Sequence, residues 1–297
     1  KEEIRVNVLN RPYGDFPWLS LPPVLFDTFP NAHNGYGDFR DLEAATEADA
    51  QGFFDRYYAP ANAVLALGGD FDPDEALTLV ERHFGDIPAR KAPDRPDFTE
   101  PDLTAERRDV KPDPLAPMPA TALAWRVPDP LDLEAYLPYV VLAEVLTDGD
   151  ASRLRRRLVR EDRLVTSLSG YVSFMGDPFD VRDPTALLLQ AHHPGPADAV
   201  IRTLDEELDR LANGGLDGGE LARVQARMAA HVFHESDSVL GRTLAMSVLE
   251  QQRGAAELLG ELPGRLAAVT DEQVVAAAAA LRPERRAVLE VVPGGSE

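Results

Sequence analysis

One sequence pattern occurs twice in the chain, and it limits the folds that the chain can adopt. The first copy, TEADAQGFFDRYYAPANAVLALGG, begins at Thr46, and the second, TDEQVVAAAAALRPERRAVLEVVP, begins at Thr270. Each copy predicts a helix that starts at a threonine cap and stops near a proline, followed by a short apolar strand. The copies lie about 220 residues apart, which predicts two similar lobes of roughly 200 residues or more each.

The segments between and after the two copies predict an α+β fold. Asp72 and Pro73 are a cap and a first helical residue, so a helix is expected over 72–84. Further along the chain we expect strands at 121–127, 164–173, 185–191 and 287–292, helices at 131–146 and 152–160, and three or four helices over 196–281. This order favours helices packed on a meandering sheet over a doubly wound parallel sheet.

Proline and charged residues are concentrated in residues 96–117, which predicts an extended linker between the lobes. We therefore expect residues 1–95 to form the C-terminal part of the first lobe and residues 118–297 to form the second. If both lobes share one plan, the opening strands and first helices of the first lobe precede residue 1. On the order of 100 residues of that lobe are then expected outside this chain.

The net charge of the chain indicates which classes of partner to expect. The 297 residues include 30 Lys and Arg against 51 Asp and Glu, a formal net charge of −21. This balance repels phosphate backbones, so nucleic acid is not expected as a partner, whereas a cationic peptide or basic protein is favoured. No apolar run is long enough to span a membrane, and no targeting pattern is found, so no membrane partner is expected. With no cysteine in the chain, thiolate ligands are excluded, and the compartment stays open with the cytoplasm favoured.

Two segments resemble the M16 metallopeptidase family, which includes pitrilysin, insulinase and mitochondrial processing peptidase. They are FFDRYYAPANAVLALGGDFDPDEALTLVERHFGDIPAR in the first lobe and VLTDGDASRLRRRLVREDRLVTSLSGYVS in the second. The resemblance covers essentially the whole chain. It implies two homologous lobes of the LuxS/MPP-like metallohydrolase type, each an antiparallel sheet with helices packed on it. Such a pair of lobes closes with a second pair around a peptide substrate.

The resemblance also implies a zinc site. Active members hold zinc on a helical H-x-x-E-H, in which two histidines bind the metal and the glutamate activates water. A third ligand, a glutamate, lies on a later helix just before a turn of the type N-x-P-Y-G. Aligning KEEIRVNVLNRPYG with that segment places Glu3 at the ligand position and Glu2 one residue out of register. The H-x-x-E-H is expected upstream of residue 1, so Glu3 is the predicted zinc ligand and no catalytic residue is assigned within the chain.

Other histidines fit a metal site less well. His231, His234 and Glu235 occur in the order H-x-x-H-E, which matches neither H-E-x-x-H nor H-x-x-E-H and predicts the polar end of a helix. His192 and His193 follow an apolar run and precede PGP, which predicts the end of a strand.

The resemblance further indicates which half of the enzyme this chain would form. In the lobe pair without zinc, related proteins place an Arg and then a Tyr that bind the substrate carbonyl. The corresponding positions here are Val159 and Thr166, which cannot supply those donors. The chain therefore resembles the zinc subunit of an endopeptidase, paired with an Arg/Tyr-bearing M16-like subunit or with a second copy of itself. The alternative is a non-catalytic M16-like subunit that acts as a scaffold or holds peptides. An unrelated α+β binding domain would leave the repeat and both segments unexplained.

Overall fold

The computed structural model describes residues 1–33 and 35–294, and a five-stranded sheet lies at its centre. The strands are β1 (Arg107–Asp113), β2 (Ala120–Arg126), β3 (Ser167–Val172), β4 (Ala186–His192) and β5 (Arg286–Pro293). Their order across the sheet is β1, β5, β2, β4, β3. The predicted α+β class is confirmed. One detail differs from the predicted antiparallel sheet, because β1 and β5 pair in parallel. The other strands and the helical layer lie between them in sequence, which provides the long connection that a parallel pair needs.

The helices that precede β1 in the chain are mostly shorter than those that follow it. In chain order they are α1 (Glu2–Ile4), α2 (Pro22–Leu25), α3 (Phe29–Ala32), α4 (Phe39–Ala44), α5 (Glu47–Tyr57), α6 (Pro73–Phe84), α7 (Leu133–Thr147), α8 (Ala197–Gly214), α9 (Glu220–Glu235), α10 (Val239–Arg253), α11 (Leu258–Ala267) and α12 (Asp271–Ala280), with π-helical turns at Arg5–Leu9 and Arg155–Glu161 and 3-10 turns at Pro60–Asn62 and Pro283–Arg285. Among the described residues, no helix is both long enough and apolar enough to cross a membrane.

The main core lies between one face of the sheet and the helices α7, α8, α9 and α12. Side chains on a strand alternate between the two faces, and Leu123 and Trp125 on β2 point to the helical side. Leu123 is in register with Leu189 on one side and Val288 on the other, so large apolar residues form a row across three strands. This row explains why the middle of the sheet excludes water.

The N-terminal part of the chain covers the opposite face of the sheet. There β2 presents three alanines in alternate positions, Ala120, Ala122 and Ala124. Leu21 and Leu25, both fully buried, pack against this face with their neighbours. Because alanine leaves room above the strands, the N-terminal segment can lie close to the sheet. The sheet is therefore buried on both faces, which accounts for the uninterrupted apolar run in β2.

Both copies of the repeated pattern form the predicted helix with the predicted cap. At α5 the Thr46 hydroxyl accepts from the Asp49 N–H, and the Asp49 carboxylate accepts from the Thr46 N–H. Thr270 and Gln273 make the same reciprocal pair at α12. The copies differ after the helix, because the second continues into β5 whereas residues 63–68 form no strand. The predicted strand there is wrong for the described chain, since no described strand lies beside this segment to supply hydrogen-bond partners.

Two further segments differ from expectation. Residues 196–281 hold five helices, α8 to α12, where three or four were expected, because turns at Ser236 and Gly254 divide the helical region. The stretch predicted as a linker contains β1, which joins the five-stranded sheet (the second-lobe sheet, after the predicted lobe that holds its other four strands). Its charged side chains are tolerated because β1 is an edge strand and much of it is exposed.

Candidate functional site

Glu3, the predicted zinc ligand, lies on an exposed face of the first helical segment. The segment runs through α1 into the π-helical turn Arg5–Leu9, and its Ile4 and Val8 side chains are buried. The Glu3 side chain is exposed, and its carboxylate makes no ion pair with a described residue. The neighbouring Glu2 differs, because its carboxylate pairs with Arg5 at 3.3 Å. Glu3 therefore keeps a free carboxylate, whereas Glu2 does not.

A zinc ion needs more ligands than Glu3 can give. Structural and catalytic zinc sites use at least three protein ligands. No group of three or more His, Asp or Glu side chains within residues 1–33 and 35–294 is arranged to hold a metal. The described residues thus form no complete site, but an exposed, unpaired carboxylate is compatible with a single ligand of a larger one. The role of Glu3 stays a prediction.

The turn after this helix fixes it to the second-lobe sheet. Tyr13, in the left-handed region at φ 57°, donates its backbone N–H to the Asp113 carboxylate at 2.8 Å. Its hydroxyl donates to the Met118 carbonyl at 2.7 Å and accepts from the Met118 N–H at 3.2 Å. Its ring meets the His192 ring edge-on, with 4.6 Å between centroids. These contacts join the end of the Glu3 helix to β1, β4 and the start of β2.

Sequence reasoning identified the N-x-P-Y-G turn as a family feature but did not predict this anchor. Its partners Asp113 and Met118 are about 100 residues away in sequence and carry no motif of their own. The sequence feature that points to the anchor is the turn itself. Its Tyr13 has a positive φ, which is rare for a tyrosine unless its surroundings hold it there.

His192 and His193 lie at the end of β4, as predicted, and both are used in packing. His193 is buried, and its Nδ1 faces the Gly195 carbonyl at 2.8 Å, so that nitrogen carries the proton. Its Nε2 lies 2.8 Å from the Thr121 hydroxyl oxygen. His192 Nδ1 lies 2.9 Å from the Ser167 hydroxyl. Burial and the neighbouring His193 lower the pKa of His192. Both ring nitrogens of His193 are therefore engaged by neighbouring groups.

Both outer edges of the sheet are unsuited to an added peptide strand. On β3, the Leu168 carbonyl accepts from Arg155 Nη2 at 3.2 Å, and the Gly170 carbonyl accepts from the Thr147 hydroxyl at 3.1 Å. On β1, five of the seven residues are charged, and Pro112 has no N–H to donate. An extended peptide would therefore find few free backbone partners along this sheet.

His231, His234 and Glu235 lie in the last turns of α9, as predicted, and all three are exposed. His231 and Glu235 line a cleft of about 750 Å³ between α7, α9, α10, α11 and the loop at 176–180. His234 is not part of this lining. The three residues therefore do not converge on one point, which agrees with the absence of a three-residue metal group in the described chain.

The family of this chain follows from a comparison with known proteins. The model of the Peptidase M16 inactive domain matches residues 44–228, more than half of the chain. The chain belongs to the M16 peptidase family. The predicted family is confirmed.

Individual M16 proteins resemble the chain over different lengths. Zinc protease PqqE of Helicobacter pylori (strain ATCC 700392 / 26695) is 24% identical over 210 residues, which cover 68% of this chain and 45% of that protein. The chain thus spans about half the length of this curated relative. A solved protease structure from Helicobacter pylori has a TM-score of 0.84 at 20% identity, covering 98% of this chain and 70% of that one. A chain of complex III2 from Candida albicans, with Inz-5 bound, has a TM-score of 0.76 at 17% identity, covering 95% and 67%. The structural likenesses show a shared fold.

The positions aligned with the M16 Arg and Tyr have other uses here. Val159 is partly buried and packs against the main core. The Thr166 hydroxyl donates to the His192 carbonyl at 3.1 Å. Arg160, next to the Arg position, pairs with Asp150 at 2.8 Å on the surface. These side chains are thus occupied in packing or pairing, and neither aligned position carries a guanidinium or phenol group.

Proposed function

We propose that this chain is part of the zinc subunit of an M16-type endopeptidase, with Glu3 as one of the zinc ligands. The observation that carries the proposal is the free carboxylate of Glu3 on a helix anchored to the second-lobe sheet through Tyr13. Membership of the M16 family and the name of the relative PqqE, a zinc protease, support it.

In this proposal the residues of the chain bind the metal and hold the ligand-bearing helix in position. Glu3 would supply one carboxylate oxygen to zinc, and the two histidines would come from an H-x-x-E-H outside this sequence. When bound, zinc lowers the pKa of a coordinated water and polarises the scissile carbonyl. The Tyr13 turn would keep the Glu3 helix in a fixed place relative to the second lobe. A partner subunit with the Arg and Tyr, or a second copy, would complete the chamber around the peptide.

A second function is favoured by a specific observation. The matching family model describes an inactive domain, and a chain of complex III2 from Candida albicans shares the fold. The name of the family model supports a non-catalytic M16-like subunit that serves as a scaffold or holds peptides. The two functions differ in one measurable property, which is bound zinc.

The deciding experiment is to measure zinc per chain in the purified full-length protein and in its Glu3→Gln variant. We expect about one zinc in the parent and a loss or strong weakening in the variant, because removing one of three protein ligands lowers zinc affinity. Glu2→Gln is the matched control, since it removes the neighbouring carboxylate and should leave zinc content unchanged. Hydrolysis of a quenched fluorescent peptide mixture, measured in parallel, should follow the zinc content.

The outcomes separate the two functions. Zinc that is lost in Glu3→Gln and kept in Glu2→Gln would support the endopeptidase. A full-length protein without zinc and without peptide hydrolysis would contradict it and leave the scaffold. Equal zinc in the parent and in both variants would contradict the assignment of Glu3.

A further inference from the structure

The cleft between α7, α9, α10, α11 and the loop at 176–180 has a volume of about 750 Å³, which lies within the range of ligand sites. Its floor is apolar, and its buried members Val140, Leu249, Leu262 and Leu266 belong to the core clusters or pack against them. Leu244 on α10 continues this apolar surface toward solvent, since its side chain is 55% exposed. The cleft thus offers an apolar surface that the described chain leaves uncovered.

The rim of the cleft carries an excess of negative charge. Five carboxylates line it: Glu144, Asp148, Asp177, Asp180 and Glu235. The one guanidinium in the lining belongs to Arg227, which pairs with the Asp148 carboxylate and donates to the Asp148 carbonyl at 2.9 Å. His231 is the other basic side chain there. Within the described part of the chain, Glu144, Asp177, Asp180 and Glu235 therefore line the cleft without an ion-pair partner.

Glu144 is the residue on which this excess of negative charge has the clearest effect. It lies one helical turn before Asp148 on α7, is half-buried, and makes no ion pair with a described residue. Burial, the charge of Asp148 and a hydrogen bond with it raise the pKa of Glu144 to about 7. Burial and Asp177 also raise the pKa of Asp180. A cation bound between these groups would relieve the repulsion and restore part of the lost solvation.

We propose that this cleft binds a short basic and apolar polypeptide segment, with an apolar side chain on the leucine floor and a Lys or Arg on the rim beside Glu144. Charge complementarity selects a cationic occupant, since five carboxylates face one paired guanidinium. The apolar floor selects a hydrophobic neighbour for that cation, and the volume limits the segment to a few residues. This site is independent of zinc and of Glu3, so it would exist in an endopeptidase subunit and in a scaffold subunit alike.

The test is calorimetric titration of the protein, at pH 8 and low ionic strength, with an acetylated and amidated hexapeptide of alternating leucine and lysine. Glutamine replaces lysine in the reference peptide. At this pH Glu144 is largely ionised. We expect the lysine peptide to bind about tenfold or more tightly than the glutamine peptide, with the difference shrinking as salt is added.

Two pairs of variants separate the cleft from the general acidity of the protein. Glu144→Gln should weaken binding of the lysine peptide about threefold to tenfold, whereas Glu134→Gln, an equal charge change at the exposed start of the same helix, should not. Leu244→Ser should also weaken binding, whereas Leu240→Ser, at an exposed position outside the cleft lining on the same helix, should not.

Equal binding of both peptides, or equal weakening by the cleft variants and their controls, would overturn the proposal. In the first case the cleft does not select a cation, and in the second the peptide binds elsewhere on the acidic surface. Because all four substitutions are at exposed or half-buried positions, a thermal melt of each variant distinguishes lost binding from lost folding.

Discussion

At the scale of single residues, Tyr13 is the side chain whose removal should have the clearest effect. Its hydroxyl both donates to and accepts from the backbone of Met118, so Tyr13→Phe leaves a carbonyl and an N–H without their partner. We expect the free energy of unfolding to fall by about 1–3 kcal/mol, because partly buried backbone groups lose hydrogen bonds that water replaces poorly. Denaturant unfolding of the variant measures this change. Tyr58→Phe is the control, since Tyr58 is 65% exposed and should give a change near zero. Equal stability of Tyr13→Phe and the parent would show that the anchor does not stabilise the fold.

The sequence predicted Glu3 as a site residue but did not predict the contacts of Tyr13 that anchor its helix. Glu3 could be placed by its distance from the Pro-Tyr-Gly turn, since that is a local relation. The contacts of Tyr13 with Asp113, Met118 and His192 join residues that are distant in sequence, so no local sequence pattern predicts them. Likewise, Glu144 is an ordinary helical glutamate in the sequence, and only its packing beside Asp148 and the cleft gives it a raised pKa.

At the scale of elements, the C-terminal end of α7 carries an unfavourable charge arrangement. Glu144 and Asp148 are one turn apart at the C-terminal end of the helix. When both are ionised, the two carboxylates repel each other, and the negative end of the helix dipole disfavours both charges. The pKa of Glu144, about 7 when folded, exceeds its ordinary value of 4.5. The free energy of unfolding should therefore be highest below pH 4.5 as far as this group is concerned, and fall as the pH rises to 7 and beyond.

Glu144→Gln should accordingly stabilise the protein at pH 8, by on the order of 2 kcal/mol, and much less at pH 5. Chemical denaturation of the variant and the parent at both pH values measures the difference. The cleft also holds the side chains of Asp148, Asp177, Asp180, Arg227, His231 and Glu235, so the comparison is made between variants at one pH at a time. Glu134→Gln should show no such dependence on pH, and an equal gain at pH 5 and pH 8 would contradict a raised pKa.

Elements were predictable where a local pattern was sufficient. The threonine caps at Thr46 and Thr270 determine helix starts through bonds within one turn, and both were placed correctly. Strands depend on partners, so the apolar residues 63–68 were predicted as a strand but pair with none in the described chain. The reverse holds for β1, whose polar residues lack a strand pattern and become a strand because β5 lies alongside.

At the scale of the whole molecule, the N-terminal segment and the second-lobe sheet form one packed unit. Leu21 and Leu25 cover the alanine face of β2, and Trp18 stacks on Tyr171 of β3 with 5.1 Å between the ring centroids. Because this contact buries the middle strands of the sheet on one face, the segment and the sheet should unfold together. The chain contains two tryptophans, Trp18 in the segment and Trp125 in the main core.

Single-tryptophan variants therefore report on the two parts separately. In Trp18→Phe the fluorescence comes from the core, and in Trp125→Phe it comes from the segment. We expect the fluorescence transition of each variant to coincide with its own far-UV circular dichroism transition, even where loss of Trp125 lowers the midpoint by opening the core. If the Trp18 signal changed at lower denaturant than the circular dichroism signal, the segment would detach before the sheet unfolds. In that case the helix carrying Glu3 would not be held rigidly against the second lobe, and the proposed positioning of a zinc ligand by the Tyr13 turn would fail with it.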